Sequence, residues 1–186
     1  MTLPLPAPEL ADATRGIRLR PWRDHPGDVA ALVAAWQDPT VAVANPVPHD
    51  VSAEAARRWI AGEAERRARG LALDLVVGPL DAEDVWGEVG LRGFDPEVAR
   101  AEMGWWLAPE ARGRGVAPTA VDLLVTWALG PPLRLRQVWA RIDPGNAASA
   151  RAAAAAGFRQ LGDAGGVGVW SRSVRPQVPH RGPHRG

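Results

Sequence analysis

Apolar positions change their spacing several times along the chain, and each change marks an element. Ile17 and Leu19 alternate with Arg18 and Arg20, the two-residue period of a strand with one face buried. Val29, Leu32, Val33 and Trp36 then recur at helical spacing, which predicts a helix starting at Asp28 and stopped by Asp38-Pro39. A loop follows through Ala44-Asn45-Pro46-Val47-Pro48. Ser52 reads as the N-cap of a second helix that carries Ala55, Trp59, Ile60 and Ala64 on one side and arginines on the other, with Gly70 closing it.

Three strand-like runs come next, at 72–77, 85–91 and 100–107, separated by Gly78-Pro79 and by Gly93-Phe94-Asp95-Pro96; they predict an antiparallel meander. A helix over 116–129 has Pro118 near its start and Val121, Leu124, Val125 and Ala128 on one face, and Gly130-Pro131-Pro132 ends it. A strand at 136–142, a helix at 146–156 closed by Gly157, and strands at 158–161 and 167–174 around a glycine-rich turn at 162–166 complete the order. The pattern is that of a mixed α+β fold. Residues 1–15, rich in proline and alanine, read as a flexible lead-in, 16–174 as a single domain, and 175–186 as a disordered tail that repeats Pro-His-Arg-Gly.

Composition narrows the chemistry. At 186 residues with 46% hydrophobic and 23% charged residues, the chain suits one globular domain and has no apolar run long enough for a membrane span. Its first residues are broken by prolines and lack a basic segment, so no secretory signal is expected and the expected compartment is cytoplasmic. Absence of cysteine excludes disulfides, thiolate zinc sites and cysteine nucleophiles. All 22 basic residues are arginine, which excludes Schiff-base lysine chemistry. Net charge is +1, but with Arg175, Arg181 and Arg185 set aside in the tail, 19 arginines face 21 acidic residues, so a nucleic-acid face is not indicated. His180 and His184 offer two imidazoles without a third ligand, and no metal is expected.

The stretch Arg112-Gly113-Arg114-Gly115-Val116-Ala117 carries the chemistry. It joins a glycine-loosened turn to the start of a helix just after an apolar strand. First-turn N–H groups have no intrahelical acceptor and sit at the positive end of the helix dipole, so such a turn can cradle a phosphate. Glycines there let the ligand approach the backbone, and the arginines add charge.

Four segments in order resemble the GNAT superfamily of acyl-CoA-dependent N-acyltransferases, most nearly its RimJ/RimL-type branch. They are Ile17-Arg18-Leu19-Arg20-Pro21-Trp22, Ala101-Glu102-Met103-Gly104-Trp105-Trp106-Leu107, the 112–117 loop, and Asn146-Ala147-Ala148-Ser149 followed by Gly157-Phe158. The resemblance implies a mostly antiparallel sheet of six to seven strands, splayed between the fourth and fifth, with about four helices. It implies acetyl-CoA as co-substrate, its pyrophosphate on the main chain of Arg114, Gly115, Val116 and Ala117 beside Arg112 and Gly113, and its pantetheine arm along Trp106 and Leu107. Asn146 would bind that arm from the other side, or cap its own helix.

Acyl transfer to an amine needs a proton acceptor and a proton for the leaving thiolate. Glu102 shares a strand face with Gly104 and Trp106 and aligns with the glutamate base of histone-type members; Glu88 on the neighbouring strand is its rival. Either could instead be a sheet-face carboxylate paired with Arg92 or Arg100, and Glu83 and Asp84 fall in a turn. Many members use a tyrosine where this chain has Ala153, so Ser149 is the substitute acid. Trp36, Asn45, His49 and Trp105 are candidate liners of the acceptor site. The expected acceptor is a protein or peptide N-terminal α-amine. The alternatives are a small-molecule amine, or a catalytically weak acyl-CoA sensor or docking module, acting as monomer or homodimer.

Overall fold

A computed structural model describes residues 4–45 and 47–174. The order is β1 (Leu10–Asp12), β2 (Ile17–Pro21), α1 (Pro26–Gln37), α2 (Pro39–Ala44), α3 (Ala53–Ala61), α4 (Glu63–Ala68), β3 (Ala72–Pro79), β4 (Gly87–Asp95), β5 (Arg100–Leu107), α5 (Val116–Leu129), β6 (Gln137–Ile142), α6 (Ala147–Ala155), β7 (Arg159–Ala164) and β8 (Val167–Ser173). The strands form one eight-stranded sheet in the order β1-β2-β3-β4-β5-β6-β8-β7, antiparallel at every junction except β5–β6.

Strand alternation sends two sets of side chains to opposite faces. Leu73, Leu75, Val77, Val89, Leu91 and Met103 join α5's Val121, Leu124 and Val125 in the larger core. On the other face, Val76 and Trp106 meet Trp22, α1's Val29, Leu32 and Trp36, and α3's Ala56 and Ile60. The helix–sheet layers are thus α1–α4 on one side and α5 on the other, which leaves the β5–β6 junction open between them.

One buried ion pair fixes α1 on the sheet. Arg20 and Asp28 are 2% and 1% exposed; two guanidinium N–H groups reach the two carboxylate oxygens at 2.7 and 2.8 Å, and Asp28 also accepts from the Arg23 amide at 3.0 Å. Glu83 gathers Arg18 and Arg23 at 2.9 Å each.

Several expectations change. The lead-in is not free chain: Leu5 is buried with its N–H bonded to the Arg67 carbonyl, and β1 pairs with β2. Three paired residues are too few to show a period, so the strand left no pattern to read. Pro39 ends α1 yet starts α2, since Asp38 caps the Thr40 amide at 2.8 Å and proline fits the first helical turn. The helix capped by Ser52 breaks at Gly62, where Arg66 bonds the Trp59 carbonyl at 3.0 Å in place of a helical amide. Strand β7 runs on to Ala164, leaving Gly165 and Gly166 to turn the chain at positive φ. The sheet therefore has eight strands against six to seven expected. The Pro-His-Arg-Gly tail, with His180 and His184, lies outside the described residues.

Removing one member of a desolvated ion pair strands the other. Asp28→Ala should cost about 3–5 kcal/mol in urea unfolding, and a loss below about 1 kcal/mol would show that α1 is held by its apolar face alone.

Candidate active site

Strands β5 and β6 lie parallel for three pairs only, Arg100↔Gln137, Ala101↔Val138 and Glu102↔Trp139. Beyond them β5 stays with β4 as far as Leu107, and β6 stays with β8 as far as Ile142. The edges that face each other past Glu102 are therefore unpaired with one another. A cavity of about 450 Å³ opens in the gap, between Trp105, Trp106 and Leu107 on one side and Ala148, Ser149 and Ala152 of α6 on the other.

Gly113, Gly115, Val116 and Ala117 close one end of this cavity. Gly115 is the N-cap of α5 at φ 76°, without a side-chain cap, and Gly113 has φ 73°. A non-glycine residue in that region costs roughly 1–2 kcal/mol, so both glycines are required by the turn. The amides at the start of α5 consequently face the cavity end without a capping oxygen, and Pro118 contributes none. A Cβ on Gly113 would meet nothing within 4 Å, which is the open concavity an anion needs.

The arginines of the loop are placed differently from expectation. Arg112 lines the cavity, but its Nε donates to the Leu107 carbonyl at 2.9 Å and its Nη2 to Asp38 at 2.5 Å. That hydrogen bond holds the Asp38 carboxyl below the usual range. Arg114 lies over the Trp86 ring at 4.8 Å, outside the cavity lining. The guanidinium of Arg15 comes instead within 3.6 Å of where a Gly115 Cβ would stand. Nothing in the sequence pattern pointed to Arg15, because it reaches the loop from the far end of the chain.

A second cavity of about 440 Å³ shares Asn45, Trp105, Asn146 and Ser149 with the first and extends along Glu102, Gly104, Arg92 and Arg141. Asn146 caps α6, accepting from the Ser149 amide at 3.0 Å. Glu102 has 10% of its side chain exposed and receives Arg92 Nη2 at 3.1 Å and Arg141 through Nε and Nη2 at 3.2 Å each. The expected pairing with Arg92 is present, and Arg141 adds to it.

Glu88, on the same sheet face opposite Trp106, has different company. It accepts from the Trp22 indole at 2.9 Å, and Trp22 stacks on Trp106 with ring centres 6.5 Å apart. Burial, helped by the nearby Asp74 carboxylate, pushes the Glu88 carboxyl up to about 8, against the opposing pull of the two indoles. Burial raises Asp74 too, while Arg66 at 3.2 Å counteracts it.

Residues 17–159 match the family described as the acetyltransferase (GNAT) domain. The chain belongs to this family. The GNAT acetyltransferase is similar in fold to Mycobacterium smegmatis RimJ in complex with CoA-disulfide, at 20% identity over 93% of this chain and 88% of that one, with a TM-score of 0.74. It is similar to the ribosomal-protein-S5-alanine acetyltransferase of Vibrio fischeri at 19% identity over 89% and 96%, TM-score 0.76. It is also similar to RimL, the ribosomal L7/L12 α-N-protein acetyltransferase in complex with coenzyme A, at 20% over 89% and 98%, TM-score 0.71. No curated protein sequence matches.

Around this site the acetyltransferase gathers Trp105, Trp106, Leu107, Asn45, Asn146 and Ser149 but not all the residues proposed from sequence. Trp36 is 8% exposed within the second core, because its helical stripe faces the sheet. His49 is exposed and lines neither cavity; Glu88, beneath the indoles, also lines neither. Ala153, at the tyrosine position, is wholly buried against the larger core. Among the described residues no group of three acidic or histidine side chains could hold a metal, and no helix is long and apolar enough to cross a membrane.

A carboxyl raised on folding keeps its proton longer in the folded state. The stability it contributes is present below its unfolded value and is lost as pH rises through about 8. Wild type should therefore lose stability between about pH 5 and 8 relative to Glu88→Gln, read as a urea midpoint that falls against the variant's as pH rises. Parallel midpoints across that window would show an ordinary surface glutamate.

Proposed function

We propose that this acetyltransferase moves the acetyl group of acetyl-CoA to the α-amine of a protein or peptide N-terminus, without a metal. The observation that carries this reading is the pair of cavities meeting at Asn45, Trp105, Asn146 and Ser149 within the β5–β6 gap. One arm ends in the anion cradle and the other opens along the sheet face, so a cofactor and an acceptor can approach one point from two sides.

The amides of Val116 and Ala117, with Arg15 and Arg112 beside them, would hold the diphosphate. The free edge of β5 around Trp106 and the Asn146 amide would hold the pantetheine arm, which resembles a strand in its spacing of amide groups. When bound, acetyl-CoA supplies an acyl carbon whose thiol leaving group has a pKa of about 8.5. A strand N–H near Trp105 or Trp106 is positioned to stabilise negative charge on the acyl oxygen.

For the amine proton we assign Glu88 ahead of Glu102, acting through a bridging water because Glu88 lines neither cavity. Glu102 is held by two guanidiniums, whereas the Glu88 carboxylate, destabilised by burial, takes up a proton readily. Its value of about 8 also matches an α-amine, at about 7.7–8.0, better than a lysine amine at about 10.4. Ser149, which lines both cavities, would return a proton to the thiolate. The likeness to RimL, a ribosomal L7/L12 α-N-protein acetyltransferase, and to the ribosomal-protein-S5-alanine acetyltransferase supports a protein acceptor.

A thiol-release assay with short peptides tests the assignment. Glu88→Gln should lower kcat by about 10²-fold or more while the calorimetric affinity for coenzyme A stays intact, and Glu102→Gln should cost much less in kcat. The opposite ranking would make Glu102 the base. Gly115→Val, which places a branched residue at positive φ in the cradle, should weaken coenzyme A binding by about tenfold or more.

A further inference from the structure

Glu102 is nearly enclosed, and one guanidinium would satisfy its charge, yet it holds two. Arg92 and Arg141 converge on it from neighbouring strands, with 41% and 57% of their side chains exposed at the second cavity. Each guanidinium has five N–H donors. Among the described residues, Arg92 spends one on Glu102 and Arg141 two, and Arg141 also rests over the Trp139 ring at 5.6 Å.

Neighbouring acids leave the fork's free donors unoccupied, although Asp143 adds a negative charge to the same lining. Asp143, at the same cavity, turns one carboxylate oxygen to the Gly145 amide at 2.7 Å, and the Asp95 carboxylate pairs with Arg100 at 3.5 Å. The fork of Arg92, Arg141 and Glu102 is positive by one charge on its own, and Asp143, which balances it over the whole lining, makes no ion pair with either arginine among the described residues. Two cations on one carboxylate repel each other, and a second anion placed between them relieves that repulsion while meeting donors already fixed in position.

We infer that Arg92 and Arg141, oriented by Glu102, form an acceptor subsite for the carboxylate of an acidic residue near the N-terminus of the peptide being acetylated. This deepens the peptide-acceptor reading and rests on it. Gly104 lies between the fork and the cavity junction, and a Cβ there would meet nothing within 4 Å, so the strand floor is clear for an extended chain. From Trp105 to Glu102 is three residues of strand, about 10 Å at roughly 3.4 Å per residue, which an extended peptide spans with its second to fourth residues. Glu102 is then a positioning residue: it spaces the guanidiniums and sets which donors stay free.

The test uses the full chain, acetyl-CoA and a set of serine-initiated peptides carrying Asp, Ala or Lys at the second, third or fourth residue, with thiol release as the readout. At one of these positions Asp should exceed Lys in kcat/KM by about fivefold or more, mostly through KM. Arg141→Glu should reverse that order, with Lys then favoured. Because the order is a ratio measured within one variant, a general loss of folded enzyme does not move it. The advantage of Asp over Lys should shrink as ionic strength rises. Equal use of all peptides, or a wild-type preference for Lys, overturns the subsite and leaves the peptide reading standing. Failure of every peptide while coenzyme A still binds overturns both.

Discussion

Main-chain hydrogen bonding is the constraint on which this molecule turns. A buried amide or carbonyl without a partner costs free energy, so sheets normally close their ladders. Here β5 and β6 stop pairing after three residues and diverge, while each remains bonded on its outer side. The gap survives because both strands are anchored elsewhere: Met103 and Ala101 in the larger core, Val138 and Ala140 beside them. What the divergence leaves is a strip of backbone able to bond an extended amide chain. Placing Gly113 and Gly115 at the end of that strip puts an anion cradle in line with it. Both the free edge and the glycine turn are features of the backbone more than of side chains.

The two glutamates of the sheet face show how surroundings divide one functional group into two roles. Glu88 and Glu102 lie on adjacent strands, with the Gly90↔Gly104 pair between them. Glu88 is wedged among indoles near another carboxylate, where charge is disfavoured; Glu102 is paired with two guanidiniums. The first environment suits a group that exchanges a proton, and the second a group that holds others in place. Tryptophan supplies the apolar bulk near Glu88: Trp22 meets Trp59 edge-on at 6.0 Å and stacks on Trp106.

Sequence patterning showed most of the architecture and the cradle, and it lost what depends on distant contacts. Alternation at Ile17 and Leu19 and the helical stripe at Val121, Leu124 and Val125 are local consequences of burial, so they can be read in place. The same stripe logic misled at Trp36, since a helical face says that a side chain is inward without saying toward which space. Proximity of Trp22 to Glu88 spans 66 residues, and Arg141 reaches Glu102 across 39; neither has a local signal. The motif at 112–117 was legible because turn, helix start and glycines are contiguous. Its arginines were not, since partners such as Asp38 and Trp86 come from other elements.

Asp38 performs two tasks with one carboxylate: it caps the start of α2 through Thr40 and holds Arg112 of the glycine loop. Helix α2 contributes Thr40 and Val41 to the cofactor cavity, and Asn45 just after it reaches both cavities. The helix that supplies Thr40 and Val41 to one cavity and the glycine loop that closes its end are therefore tied to each other by the Asp38–Arg112 ion pair.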